Sequence, residues 1–327
     1  VGSGEPRIDY KDDSKGALKL EPSRTNYVTY SEDFSDASWV KSAGTTLTSN
    51  YGIAPNGLNQ STLIEWSATQ QFIYTIISSQ GQETSSIYIK GISGQEIKFG
   101  RTGTVATGNL FTFDGTWQRL EISTDNAETV LFLSTFNDGN ATDFEIWGAQ
   151  LEQGSYATSY IPTQGSIGTR VAESCNQTPP SGIIGQTEGT LFADIYLNLA
   201  GSNIGFYALQ VYDNSFSPSY GKAVYLELYQ GKVYGYVRNS TVQCEILSGI
   251  YADGQRLKMA LAYKSNDFAL YVNGVQIGID TNGSLPSVLN DVSLHYSAGT
   301  QQASPLSQAQ IYNTRLSNAE LQALTTI

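Results

Sequence analysis

Apolar residues along this chain recur at every second position, and short clusters of Gly, Asn and Asp interrupt the alternation. A period of two puts successive side chains on opposite faces of a strand, so the pattern predicts half-buried strands joined by tight turns. In the first half it predicts strands over residues 86–90, 96–99, 118–123, 129–136 and 144–147. Asn56-Gly57, Asp114-Gly115 and Asp138-Gly139 supply the positive-φ residues that tight connections need. In the second half Leu191, Ala193, Ile195 and Leu197 alternate with Phe192, Asp194, Tyr196 and Asn198, and the pattern resumes over 224–229, 232–238 and 257–263. Asn273-Gly274 between the apolar runs 268–272 and 275–279 predicts a hairpin with a type I′ turn. A single helix is predicted: Ser317 and Glu320 form a capping box, and Leu321 and Leu324 lie on one side of the turn that follows. The expected fold is all-β, two tandem antiparallel β-sandwiches of the jelly-roll kind joined by a linker, with one short C-terminal helix.

The 327 residues accommodate two cores of about 130 to 150 residues each. Residues 165–186 are rich in Gly, Pro, Ser and Thr, lack alternation and carry Pro179-Pro180, which marks a linker between sandwiches at 21–164 and 187–327. The polar first twenty residues read as an arm that pairs with a neighbouring domain or another subunit. The chain begins at Val1, which predicts a processed product or an excised fragment. It contains no run of eighteen apolar residues, and its first residues lack the apolar core of a signal peptide.

Composition narrows the functional classes. Charged residues make up only 15% of the chain, so the surface is built largely from Ser, Thr, Asn, Gln and Gly, as suits a rigid extracellular protein. A formal net charge of −12 argues against nucleic acid or an acidic membrane surface as partner, because neutralising phosphate needs clustered Lys and Arg. The two cysteines, Cys175 and Cys244, are too few for a disulfide framework; two thiols are expected, with a single bridge as the alternative. The one histidine, His295, sits in an alternating stretch and reads as structural. No nucleophile elbow, zinc-protease helix or phosphate loop occurs, and no motif selects a carboxylate pair for glycoside hydrolysis. The expectation is a protein that is not an enzyme and requires no cofactor.

The motifs themselves carry a resemblance. Residues 20–26 read Leu-Glu-Pro-Ser-Arg-Thr-Asn, residues 147–152 Trp-Gly-Ala-Gln-Leu-Glu, and residues 157–163 Ala-Thr-Ser-Tyr-Ile-Pro-Thr. With 54–57, 86–90 and 115–119 between them, these blocks resemble a module of the receptor-facing proteins of bacteriophages, and the likeness covers roughly residues 6–170. It implies a jelly roll similar to carbohydrate-binding modules of the galactose-binding-like type. From Glu188 onward the chain resembles the concanavalin A-like or laminin G-like sandwich, through residues 189–194, the hairpin at 270–278 and the ending at 311–321. Together the resemblances imply a tail or head fibre module made in the bacterial host cytoplasm and carried on the virion surface. A bacterial surface glycan and other virion proteins are the implied partners, a homotrimer is expected of a fibre, and fold analogy alone fixes no ligand. The terminal carboxylates Glu32, Asp33, Asp143 and Glu145 match the structural calcium position of similar jelly rolls; the alternative is a solvated acidic edge.

Pyranose rings stack their apolar faces on Trp and Tyr while their hydroxyls bond Asn, Gln and Asp. In the first sandwich Trp39, Trp66 and Tyr74 are candidates because they stand in polar or turn-flanked sequence, whereas Trp117 and Trp147 are assigned to the core. In the second, Tyr225 and Tyr229 share one parity and Tyr234 and Tyr236 another on the neighbouring strand, so the four are expected on one sheet face. Such a stripe is either a glycan platform, a subunit contact or a structural ladder.

Overall fold

The computed structural model describes residues 7–10, 14–125, 128–198, 205–296 and 304–327. The chain forms two compact units, one of residues 23–171 and one that combines 1–22 with 172–327.

In the 23–171 unit two five-stranded antiparallel sheets face each other. One runs Asn109–Thr112, Glu96–Thr102, Val130–Ser134, Phe72–Ile76, Val40–Lys41, and the other Gln118–Thr124, Glu83–Gly91, Asp143–Gln153, Thr62–Trp66, Thr45–Thr48. Alternation delivers Ile73, Leu131, Leu133, Ile97 and Phe99 from the first sheet and Ile64, Ile87, Ile89, Leu120, Phe144 and Ile146 from the second into one core. The motif blocks close this sandwich. Asn26, fully buried, donates from Nδ2 to the carbonyls of Ala149 and Ile161, and its Oδ1 accepts from the backbone of Val28 and Leu151. One side chain thus ties the opening block to both closing blocks. Glu152, also buried, accepts from the Thr158 backbone and hydroxyl and from the Gln150 side chain, and Gln150 in turn accepts from the Ile161 backbone. Asn26 of the opening block and residues 149–161 of the closing blocks thus lock the sandwich. Within the stretch read as a linker, Gly168–Arg170 pairs with Arg24–Asn26.

The other unit stacks a seven-stranded sheet, Ile8–Asp9, Ala17–Leu18, Leu306–Tyr312, Glu188–Tyr196, Arg256–Lys264, Phe268–Val272, Val275–Asp280, on a six-stranded one. The second sheet runs Cys175–Gln177, Asp291–Tyr296, Phe206–Tyr212, Lys222–Tyr229, Lys232–Asn239, Thr241–Ile250. N-terminal residues thus extend the first sheet of this unit through Leu18 opposite Leu306, and Arg7 is held by Glu21 and Glu173. Residues 1–6 and 11–13 of the expected arm lie outside the described residues. Asn273 and Gly274 both take positive φ, 50° and 77°, and Val272 faces Val275 across the two-residue loop, as a type I′ hairpin requires. The helix Asn318–Thr325 begins with the full Ser317–Glu320 capping box and buries Leu321 against Phe192, Ala260, Ala262, Ala269 and Tyr271. Both cysteines are free thiols.

Trp39 and Trp66 correct the sequence reading. Each is only 4% exposed: Trp39 packs 5.0 Å from Phe34 and donates from Nε1 to the Tyr30 carbonyl, and Trp66 meets Phe144 edge-on at 4.8 Å. Both fill the core, so neither offers a ring face to a ligand. Trp66→Ala is expected to destabilise this unit by about 3–5 kcal/mol in urea unfolding. A loss below about 1 kcal/mol would show that the ring is not part of the core. Trp117, assigned to the core, instead lies half-buried at the surface with Nε1 donating to the Ile53 carbonyl, while Trp147 is buried between Tyr88 and Tyr160.

Candidate functional site

The outward face of the six-stranded sheet gathers a connected set of ring and polar side chains. Along Lys222–Tyr229, Val224, Leu226 and Leu228 point into the core, which turns Tyr225, Glu227 and Tyr229 outward. Along Lys232–Asn239, Val233 and Val237 face inward and Tyr234, Tyr236 and Arg238 outward. Register sets Tyr225 opposite Tyr236 and Glu227 opposite Tyr234, with Tyr236 in turn opposite Glu245 on the next strand. On the other side Tyr207 lies opposite Glu227 and Gln210 opposite Tyr225.

The rings form a connected surface. Tyr234 and Tyr236 are parallel within 3° at 5.6 Å, Tyr236 is 5.2 Å from Tyr225, Tyr225 is 4.6 Å from Tyr207, and Tyr229 is 6.4 Å from Tyr234. The structure thus brings the four tyrosines singled out in the sequence onto one face. They are not equivalent: Tyr225 is 2% exposed and forms the floor, whereas Tyr229, Tyr234 and Tyr236 are half-buried with accessible ring area. Tyr225 is therefore corrected from a stacking candidate to a supporting one. Sequence reading missed Glu227, which has the same parity as its tyrosine neighbours and was findable on that ground. It also missed Ser293, and Tyr207 and Gln210, where a bulge between Tyr207 and Leu209 breaks the alternation that would have placed them.

Polar groups frame the rings. Tyr236 donates to Glu245 Oε1 at 2.6 Å, and Arg238 lies 5.7 Å from the centre of the Tyr220 ring. Burial pushes the Tyr225 hydroxyl up to about 12, and burial first, then the bond to Glu245, raises Tyr236, so both stay neutral donors in ordinary buffers. Glu227 is the exceptional group: burial among the rings raises its carboxyl to about 7, Arg238 opposing this and Glu245 adding to it. Folded Glu227 holds its proton where unfolded Glu227 has lost it. Its contribution to stability is thus complete below about pH 4.5 and is lost as pH rises through about 7. Glu227→Gln is expected to remove that loss, raising stability at pH 8 by on the order of 1–2 kcal/mol and leaving it unchanged at pH 4. Unfolding curves at the two pH values check this, and equal effects at both would contradict it.

The remaining candidates lie in the other unit. Tyr74 is half-buried on the outward face of its sheet, 5.6 Å from Phe72, which stacks at 6.1 Å on Phe136, with Ile76 exposed beside them. The four carboxylates proposed for calcium do not converge. Glu145 pairs with Lys90 at 2.9 Å and accepts from Ser61, Asp143 accepts from Thr142, Asp33 caps Ser35, and Glu32 accepts from Tyr160. Each is engaged by a local donor, and among the described residues no three His, Cys, Asp or Glu side chains are grouped as a metal would need. Glu32 and Asp33 instead line an open polar cleft of about 420 Å³ with Asn50, Gln60, Thr62 and Gln164. The side chain of His295 lies outside the described residues. Among those described, no helix is long and apolar enough to cross a membrane.

No family model matches the chain, and no curated protein matches it. Several solved structures are distantly similar to part of the chain. The galectin LEC-6 of Caenorhabditis elegans is similar over 42% of this chain and 89% of its own, at 10% identity and a TM-score of 0.30. Domain 4 of AbnA, an extracellular arabinanase of Geobacillus stearothermophilus solved with arabinotriose, is similar over 49% and 73%, at 12% identity and 0.34. The NanB sialidase of Streptococcus pneumoniae matches over 44% of this chain at 11% identity and 0.37, and this chain spans only 25% of it. A Trypanosoma rangeli sialidase is spanned to 22%. At such scores these likenesses assign no activity to this chain.

Proposed function

We propose that this chain is a non-catalytic virion protein that binds a bacterial surface polysaccharide on the tyrosine face of its 172–327 sandwich. The observation that carries the reading is the pair Tyr234 and Tyr236, held parallel and partly open beside a carboxylate, an amide and a guanidinium. Flat rings supply stacking area, and the polar groups beside them supply hydroxyl recognition. The face is shallow, so each site binds weakly and copies on a particle supply the strength, as a homotrimeric fibre would provide. No resident cofactor is part of this reading.

Two other readings have specific support. The ring ladder also suits a purely structural module that binds only other virion proteins. Glu227, protonated near neutrality with Glu245 across the neighbouring strand, also suits the acid of a polysaccharide depolymerase. Incubation with the capsule or lipopolysaccharide of candidate hosts separates all three. Retention without new reducing ends is the expected result. New reducing ends that vanish in Glu227→Gln would establish the enzyme, and no retention by any host polysaccharide would leave the structural module.

A further inference from the structure

Gln210 and Ser293 lie opposite each other on the Phe206–Tyr212 and Asp291–Tyr296 strands, and Gln210 is also opposite Tyr225. Their sequence neighbours Leu209, Val211, Val292 and Leu294 pack into the core, so these two side chains stand on the tyrosine face. Gln210 is fully buried and Ser293 is 1% exposed, yet Gln210 Nε2, Gln210 Oε1 and Ser293 Oγ all have no hydrogen-bond partner. Buried polar atoms are almost always paired, and an unpaired one loses its hydration with nothing in return. A sheet face that needed only filling would be more stable with Leu at 210 and Ala at 293.

From this geometry we infer that Gln210 and Ser293 are the specificity-determining floor of the tyrosine face and select a sugar bearing an acetamido group, an N-acetylhexosamine. The inference rests on the glycan-binding reading of that face and deepens it. The carbonyl and N–H of a trans acetamido group point opposite ways, so the two residues share it: Gln210 Nε2 donates to the carbonyl and Ser293 Oγ accepts from the N–H, a pairing that no lone hydroxyl completes. The rings of Tyr225 and Tyr207, 4.6 Å apart, are the apolar neighbours for the acetyl methyl. Because the amide is sealed, the arm enters by displacing neighbouring side chains, a modest rearrangement that lowers affinity for every sugar but leaves the mismatched one without compensation.

The test titrates the full chain by calorimetry with N-acetylglucosamine, N-acetylgalactosamine and N-acetylmannosamine oligosaccharides and with their 2-hydroxy counterparts. At least one acetamido sugar is expected to bind about tenfold or more tightly than its counterpart, in line with a site built to hydrogen-bond a group the analogue lacks. Gln210→Leu is expected to bring that ratio close to one while raising the melting temperature by about 2–4 °C, as loss of unpaired amide atoms predicts. Ser293→Ala, the smaller change, should reduce the ratio in the same direction and keeps the test valid if Gln210→Leu folds poorly. Equal binding of both sugar sets overturns the selectivity and leaves the tyrosine-face reading standing. Binding of neither set also overturns it, and the host-polysaccharide retention assay then judges the tyrosine face by itself. A crystal structure of the complex in which Gln210 and Ser293 hold only a water, with the acetamido group elsewhere, overturns it too.

Discussion

Replacing Tyr234 and Tyr236 together by Ala is expected to weaken polysaccharide binding at least about 30-fold, because each ring contributes roughly 1–2 kcal/mol of stacking area. Both side chains stand on the outward face, and the core beneath them is made by Val233 and Val237 with Leu226 and Leu228. The ring contacts they lose, to Tyr225, to Tyr229 and to each other, are worth about 0.5–1.5 kcal/mol apiece, so the fold survives with a modestly lower melting temperature. Surface plasmon resonance on immobilised host polysaccharide, with circular dichroism of the same samples, reads both quantities. Undiminished binding by a folded double variant would move the site elsewhere, with the cleft at Glu32 and Asn50 and the Phe72–Tyr74 surface as the next places to look.

Arg101→Met is expected to have the largest effect on stability. Arg101 Nε donates to Glu83 Oε1 at 2.6 Å and its Nη2 to the Ile77 carbonyl at 2.8 Å, with both charged side chains fully buried in the 23–171 sandwich. Removing the guanidinium strands a carboxylate away from water, at a loss of about 3–5 kcal/mol. The double variant Arg101→Met with Glu83→Leu leaves no charge behind and is expected to recover most of that loss. Urea unfolding followed by Trp fluorescence suits the measurement, because Trp39, Trp66, Trp117 and Trp147 all belong to this unit. A double variant no more stable than Arg101→Met would show that the pair contributes through packing rather than charge.

The two-sheet architecture was legible because alternation is a local signal. Val224, Leu226 and Leu228 against Tyr225, Glu227 and Tyr229 announce a strand with one buried face, whatever lies across from it. Asn273-Gly274 announces its turn because few other residue pairs tolerate two positive φ values in succession. The destinations of Trp39 and Trp66 were not legible. Glu65 beside Trp66 is polar because adjacent strand positions face opposite sides, and Trp39 stands in a bend before the Val40–Lys41 strand, so neither context says which way the indole points. The calcium expectation failed to gather its ligands for a related reason: proximity in a family pattern does not reveal that Lys90, Ser61, Thr142 and Tyr160 already engage the carboxylates. Pairing of the N-terminal residues with the Leu306–Tyr312 strand is a contact between the two ends of the sequence, and nothing local encodes it. Gln210 was hidden by the bulge, which shifts the parity of its strand against the Lys222–Tyr229 strand.

On the proposed reading, half-buried tyrosine rings on one sheet face hold a saccharide without altering it. Titrating chain labelled with ¹³C in its tyrosine rings against the host polysaccharide, and following ring resonances by NMR, tests this most directly. Tyr229, Tyr234 and Tyr236 are expected to shift on binding, while Tyr263, sealed in the core with its hydroxyl on the Gly185 carbonyl, stays fixed and the saccharide is recovered intact. Shifts confined to tyrosines of the 23–171 unit, or a saccharide recovered in fragments, would contradict it.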